Sequence, residues 1–294
     1  MATDGSPGAA VALDLLASMP LRPLDEIIAV TYPSYFLVAR QDRTGLIGKL
    51  MEGRRRSAQT TVDAAVQSLA RTGARVTGVV AEGLEAVDAI LRVAAEQSPD
   101  LIVMGSRGLG GVGSVVLGST ARTLALLSPV PVLIVRGRAT APRRVLIAVD
   151  GSEASRSALT AFARLPLAEG VVVELLHVLP AHDWSDLPMR REELAELREA
   201  QERAETDAAD QLLQRSATSL PKDVEVRLAK SRGAVTDTIR SHASALDADL
   251  IVLGSRGLSG PRRPFWGSTA EQVIATAECS VLLAPVPQDL VSKP

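Results

Sequence analysis

Two stretches of this chain have the composition of a phosphate cradle and nearly the same wording. GSRGLGGVGSVVLGST starts at Gly105, and GSRGLSGPRRPFWGST starts at Gly254, 254 − 105 = 149 residues later. Each follows an apolar run that closes on glycine, DLIVMG at 100–105 and DLIVLG at 249–254. A glycine at the carboxyl end of a strand lets a ligand meet the backbone where a side chain would collide. Open α/β sheets bind ligands at that end. Gly-Ser-Thr at 118–120 and again at 267–269 then opens a helix. The first-turn N–H groups of a helix lack intrahelical partners and carry the positive end of its dipole, so an anion such as phosphate suits them.

The spacing says more than the composition. Gly105, Gly108 and Gly118-Ser119 recur without change as Gly254, Gly257 and Gly267-Ser268, the pattern G-x2-G-x9-G-S. An Asp-Gly-Ser triplet opens each half, at Asp4 and at Asp150. Each member also has a plainer reading. Ser268 with Glu271 spells a capping box, Asp4 and Asp150 fit turn hydrogen bonds, and Gly105 and Gly254 fit strand-end turns. Repeated together at fixed spacing, they favour a nucleotide site in at least one half.

These loops need elements to position them. The chain has 294 residues, about two average domains. A hydrophobic content of 46%, a charged content of 22% and a net charge of −2 give no reason to expect nucleic acid or an anionic membrane as partner. Cys279 is the single cysteine, so no intrachain disulfide and no multi-cysteine metal site exists. His177, His182 and His242 lack ligand spacing. The opening MATDGSPGAA does not read as a signal peptide. No apolar run approaches the ~20 residues of a membrane span, and the expected location is the cytoplasm.

The halves match beyond the glycine loops. Glu26 to Val30 answers Glu174 to Val178, and VPVLIV at 130–135 answers SVLLAP at 280–285. Apolar strand-like runs alternate with helical periodicity, which predicts doubly wound α/β domains with mainly parallel sheets. In the second half the expected order is strand VLIAVD, a helix from Glu153, strand VVVELLHVL and a charged outer helix within 186–216. Strand VEVRLA, a helix over 234–245, strand DLIVLG, a helix over 268–277 and a last strand VLLAPV follow. Ser6-Pro7 and Ser152-Glu153 read as helix starts. The segment RGRATAPRR at 136–144 reads as a linker, giving domains at 1–138 and 143–294.

The glycine spacing, the DGS starts, the "LLHV" run and "DLIVMGSRG" resemble the ATP-binding subset of the universal stress protein family, as two tandem units over essentially the whole chain. The resemblance implies two five-stranded domains of the adenine nucleotide α-hydrolase type, with ATP as ligand, with or without Mg²⁺. It places Asp4 and Asp150 beside the adenosine moiety, Val30 and Val178 with their backbones at adenine, and Met104 and Leu253 in the base pocket. Gly105 and Gly254 would lie near the ribose. Gly108, Gly118, Ser119, Gly257, Gly267 and Ser268 would cradle the phosphates. Family members commonly dimerise through the final strand, so 130–135 and 281–286 are the expected pairing edges of the two halves, with a homodimer also compatible. The implied role is a non-enzymatic nucleotide-dependent regulator in stress response. A slow ATP-hydrolysing enzyme is the rival, and an electron-transfer flavoprotein-like binder is a weaker one.

Competing motifs fail on context. Gly108 to Gly113 satisfies G-x-G-x-x-G, but no acid follows about 20 residues on for a ribose. The run from Gly45 to Leu50 is too short for a Walker A loop and lacks its hydroxyl residue. His177 reads as a packed core histidine and Cys279 as a small core residue. Two departures mark the repeats. Five strand residues precede Asp150, but only Met1, Ala2 and Thr3 precede Asp4. That predicts a truncated first strand, unpaired neighbouring backbone and a frayed Asp4; either the start is assigned too far downstream or a short strand is tolerated. The second departure, PRRPFW at 261–266, stiffens and crowds one loop.

Overall fold

The computed structural model describes residues 1–33, 46–83, 85–108, 117–182, 184, 190–255 and 267–286. In the first repeat these form α1 (Pro7–Ser18), β1 (Glu26–Thr31), α2 (Leu46–Leu69), β2 (Arg75–Val80), α3 (Ala86–Gln97), β3 (Ile102–Gly105), α4 (Ser119–Leu127) and β4 (Val132–Val135). The second repeat gives β5 (Arg144–Ala148), α5 (Glu153–Ala163), β6 (Val172–Leu179), α6 (Arg191–Ala217) and β7 (Glu225–Arg232). It continues with α7 (Val235–Leu246), β8 (Leu250–Gly254), α8 (Ser268–Thr276) and β9 (Ser280–Ala284). Contacts group Met1–Pro142 with Pro166–Ala168 and Glu278–Leu283 in one unit; Arg143–Leu165, Glu169–Ala277 and the chain from Ala284 make the other.

The helix starts have the caps their sequences call for. Ser6 accepts the Ala9 N–H at 3.2 Å, with Pro7 at the first helical position, where a missing N–H costs nothing. Ser152 accepts the Ser155 N–H at 3.1 Å, and Glu153 lies in the first turn against the dipole. Helix α6 is the charged outer helix, with only Ala209, Leu213 and Ser216 buried.

In the second unit β8, β5, β6 and β7 lie side by side and all run parallel. Central strand β5 pairs with β6 from Arg144↔Val172 to Ala148↔Leu176 and with β8 from Val145↔Leu250 to Ile147↔Val252. Its Val145, Leu146 and Ile147 are fully buried, as a strand covered on both faces must be. Strand β7 is the polar edge, carrying Arg227, Lys230 and Arg232, side chains that discourage further strand pairing.

The first unit repeats the plan with a central strand reduced to a stub. Strand β1 pairs with β2 and β3 with β4, all parallel. Between them Ala2 bridges both Val30 and Met104. The stub is bonded on both sides: Ala2 N–H to Val103 O, Thr3 N–H to Val30 O and Val30 N–H to Met1 O, each at 2.8 Å. Ala2 and Thr3 are buried. The short strand is therefore present and tied into the sheet, and the expected fraying before Asp4 is not seen. Its Met1 amine donates to Ile28 O at 2.9 Å, and burial lowers the amine's pKa to about 5. Strand β9 groups with this unit through Leu283 and runs antiparallel to β4, from Val132↔Leu283 to Ile134↔Val281.

Candidate functional site

In both repeats the Asp-Gly-Ser turn sits where the central strand ends and the first helix begins. Asp4 Oδ1 accepts the Ser6 N–H at 3.0 Å, and Asp150 Oδ1 accepts the Ser152 N–H at 2.9 Å. This is the turn bond of the plainer reading. It consumes one carboxylate oxygen and orients the other. In the first unit that other oxygen, Asp4 Oδ2, stands against Gly108: a Cβ there would collide with it. The Ser6 hydroxyl donates to Arg107 O at 3.2 Å, pinning the same turn to the start of the glycine loop. Asp4 and Gly108, 104 positions apart in sequence (108 − 4), are thus neighbours.

The far end of each loop returns to the same place. Gly118 N–H donates to Ser106 O at 2.8 Å, and Gly267 N–H donates to Ser255 O at 3.0 Å. Each glycine is the extended N-cap of its helix, α4 or α8, and supplies no side-chain cap. Ser119 and Ser268 occupy the first helical position. The capping box expected of Ser268 with Glu271 is therefore not formed, because it needs the serine at the cap itself. A glycine-capped helix start beside a strand end is a place an anion can occupy.

Gly105 and Gly254 have another reason to be glycine. A Cβ on Gly254 would come within 2.6 Å of the Ala154 carbonyl carbon, and one on Gly105 within 2.8 Å of Ala9 N and closer still to Gly8. The first turn of α1 or α5 lies directly on the end of the strand. At these two positions the glycines let helix and strand backbones touch, which a ligand-based reading of the sequence does not anticipate.

Met104 and Leu253 are buried just before those glycines. Val30 differs from its expected role. Both its N–H and its C=O are bonded to the Met1–Thr3 stub. The corresponding bond in the second unit runs from Val149 N–H to Leu176 O, so Val30 answers Leu176 and the position of Val178 is taken by Tyr32. The burial patterns agree: Glu26 to Val30 reads exposed-buried-half-buried-buried-buried, and Val172 to Leu176 repeats it after an outward first residue. The residue the sequence comparison missed is Tyr32, whose hydroxyl donates to Gly83 O at 3.3 Å. Gly257 and the 261–266 segment lie outside the described residues.

The remaining polar residues behave differently from their sequence reading. His177 is half-buried, with Nδ1 2.8 Å from Val149 O, and is not packed in the core. Cys279 is half-buried too. His182 pairs with Glu205, and His242 with Glu174. Glu205 also meets Gln201 at 2.9 Å and Arg232 at 2.8 Å; bonds from Gln201, His182 and Arg232 hold its carboxyl well below the usual range, at about 2. Among the described residues no group of three or more His, Cys, Asp or Glu is arranged to hold a metal ion, and no helix is long and apolar enough to cross a membrane.

The sequence matches the model of the universal stress protein family twice, over residues 1–136 and 142–285. A universal stress protein of Thermus aquaticus is 40% identical over 142 residues, covering 48% of this chain and 97% of that protein. One of Mycolicibacterium smegmatis is 28% identical over 193 residues, 64% of this chain and 63% of that protein's length. The crystal structure of a universal stress protein from Archaeoglobus fulgidus superposes with a TM-score of 0.64 at 21% identity, over 98% of this chain and 96% of that one, which shows the fold. With two full matches in tandem, each built on the same Asp turn and glycine loop, the chain belongs to the universal stress protein family.

Proposed function

We propose that the chain binds an adenine nucleotide, ATP with or without Mg²⁺, and acts as a non-catalytic regulator whose nucleotide occupancy alters its conformation or its fit to a partner in stress response. The observation that carries this reading is the convergence of Asp4, Gly108 and the Gly118 cap at one strand end, with Asp150 and the Gly267 cap repeating it. Phosphate oxygens would take the first-turn N–H groups of α4 and α8. The second carboxylate oxygen of each Asp would face the nucleoside. Aliphatic Met104 and Leu253 would line the base, in keeping with an aromatic content of only 2%.

Phosphoryl transfer calls for charge-neutralising cations and a positioned acceptor. The chain has no Walker-type lysine, which supports binding without turnover. The apolar final strands, which include Val132–Val135 and Ser280–Ala284, are the proposed pairing edge of the two repeats, since leaving such an edge open invites association.

Two measurements test the function. Mass spectrometry of nucleotide retained on the purified protein should find an adenine nucleotide. Replacing Gly118 and Gly267 together by Asp should abolish calorimetric ATP binding while the fold survives, because a carboxylate would occupy the phosphate position. Unchanged binding by the folded double variant refutes the assignment.

A further inference from the structure

Outside the glycine-loop constellations, three side chains from three elements form one hydrogen-bonded line in the second unit. Ser231 Oγ on β7 lies 2.7 Å from His242 Nε2 on α7, and His242 Nδ1 lies 2.6 Å from Glu174 Oε1 on β6. A carboxylate can only accept, so Nδ1 carries the proton. The lone pair of the neutral ring then sits on Nε2, and the serine hydroxyl must donate to it. That tautomer and order of contacts are those of a serine nucleophile, its base and the acid that orients the base.

The surroundings leave room for a reagent. Side-chain exposure is 26% for His242 and 18% for Glu174, so the line is neither sealed in the core nor washed out in solvent. Helix α7 packs on β5 and β6, while β7 is the sheet edge. Ser231 pairs in register with Val178 near the carboxyl end of that edge, where α/β sheets bind ligands. Glu225 and Gly233 donate their N–H groups toward β6. By the alternation of a strand, the N–H of Arg232, the residue after the serine, faces the open side and can receive an oxyanion.

We propose that Ser231 is an activated nucleophile for small activated carboxylic esters, with His242 as base and Glu174 as its positioning residue. Serine Oγ bonds to the acyl carbon while its proton passes to His242 Nε2. The tetrahedral intermediate collapses, the C–O bond to the leaving alcohol breaks and that alcohol takes the proton from His242. Water then hydrolyses the acyl-serine by the same route.

The test is labelling of the full chain with a fluorophosphonate, which forms an Oγ–P bond and releases fluoride, followed by peptide mass spectrometry and a p-nitrophenyl acetate burst assay. Wild type should carry the label on Ser231 and show the burst. His242→Ala, or His242→Asn if the first fails to melt cooperatively, should slow labelling by about 100-fold or more, the scale of general-base catalysis. Glu174→Gln should fall between the two and lower the pH at which labelling is half-maximal in rate, because the lost carboxylate no longer favours the protonated ring. Absence of label from Ser231 in the folded wild type overturns the proposal, as does labelling of Ser231 at an unchanged rate in the folded His242 variant. None of these readouts uses nucleotide, so they stand or fall apart from the ATP reading.

Discussion

The two repeats reach the same Asp turn from very different central strands. In the second, β5 is bonded over five positions to β6 and three to β8 before it delivers Asp150. In the first, Ala2 alone bridges β1 and β3 before Asp4. Yet the turn bonds differ by only 0.1 Å, 3.0 Å at Asp4 and 2.9 Å at Asp150. Local chemistry, a serine cap and an Asp accepting its N–H, builds the turn whatever lies behind it. What the shortness of the first strand changes is how strongly the turn is backed by the sheet, so the copies should separate in stability and affinity more than in geometry.

The largest effect expected is at the strand-end glycines. Gly105→Val and Gly254→Val each force side-chain atoms into the backbone of α1 or α5. Each should destabilise by about 3 kcal/mol or more, at and beyond the upper end of ordinary overpacking. Thermal unfolding followed by calorimetry would register it. A variant that melts with wild type would show that the helix can retreat, and that the glycine serves a ligand instead.

Next comes affinity. Asp150→Ala should weaken ATP binding more than Asp4→Ala, because the fully paired β5 holds its turn against a whole sheet. A greater loss from Asp4→Ala would show that the loop spacer, which reads PRRPFW at 261–266 in the second repeat, sets affinity instead.

A third contrast is confined to the first repeat. With Met1 as first residue, its amine pKa is lowered to about 5 in the fold from its ordinary 8.0. The unfolded chain then binds more protons between those values, so this group penalises folding below about pH 5 and ceases to do so above about pH 8. Stability of the first repeat should rise across that window. Acetylating the amine should remove the slope, and a slope that persists would place its source elsewhere.

The smallest effect is expected in the second repeat. Glu205 is depressed to about 2, so its contribution is present above about pH 4.5 and is lost as pH falls toward 2. Urea unfolding of Glu205→Gln and wild type should therefore differ near pH 6 and converge near pH 2. A constant difference would mean that the charge is not what matters.

Much of this was legible beforehand. Hydrophobic runs, helix caps and a fixed glycine spacing are local signals, and they located the two repeats, the truncated first strand and the Asp turns. Other features depend on what lies across space. EIIAV and ELLHV are both mostly apolar behind a leading glutamate, so their alignment can slip by two residues without disturbing the alternation of faces. Only the hydrogen bonds of Val30 and Val149 show that Tyr32 answers Val178. A glycine required by a helix backbone looks the same in sequence as one required by a phosphate, which hid the packing role of Gly105 and Gly254. Glu174 and His242 stand 68 positions apart, with no motif to connect them.

Isothermal titration of the purified, nucleotide-stripped chain with ATP tests the central claim most directly. The account predicts binding that Asp150→Ala weakens most and that the Gly118→Asp, Gly267→Asp double variant eliminates. Absence of binding by the folded wild type, or full binding by the folded double variant, would contradict it.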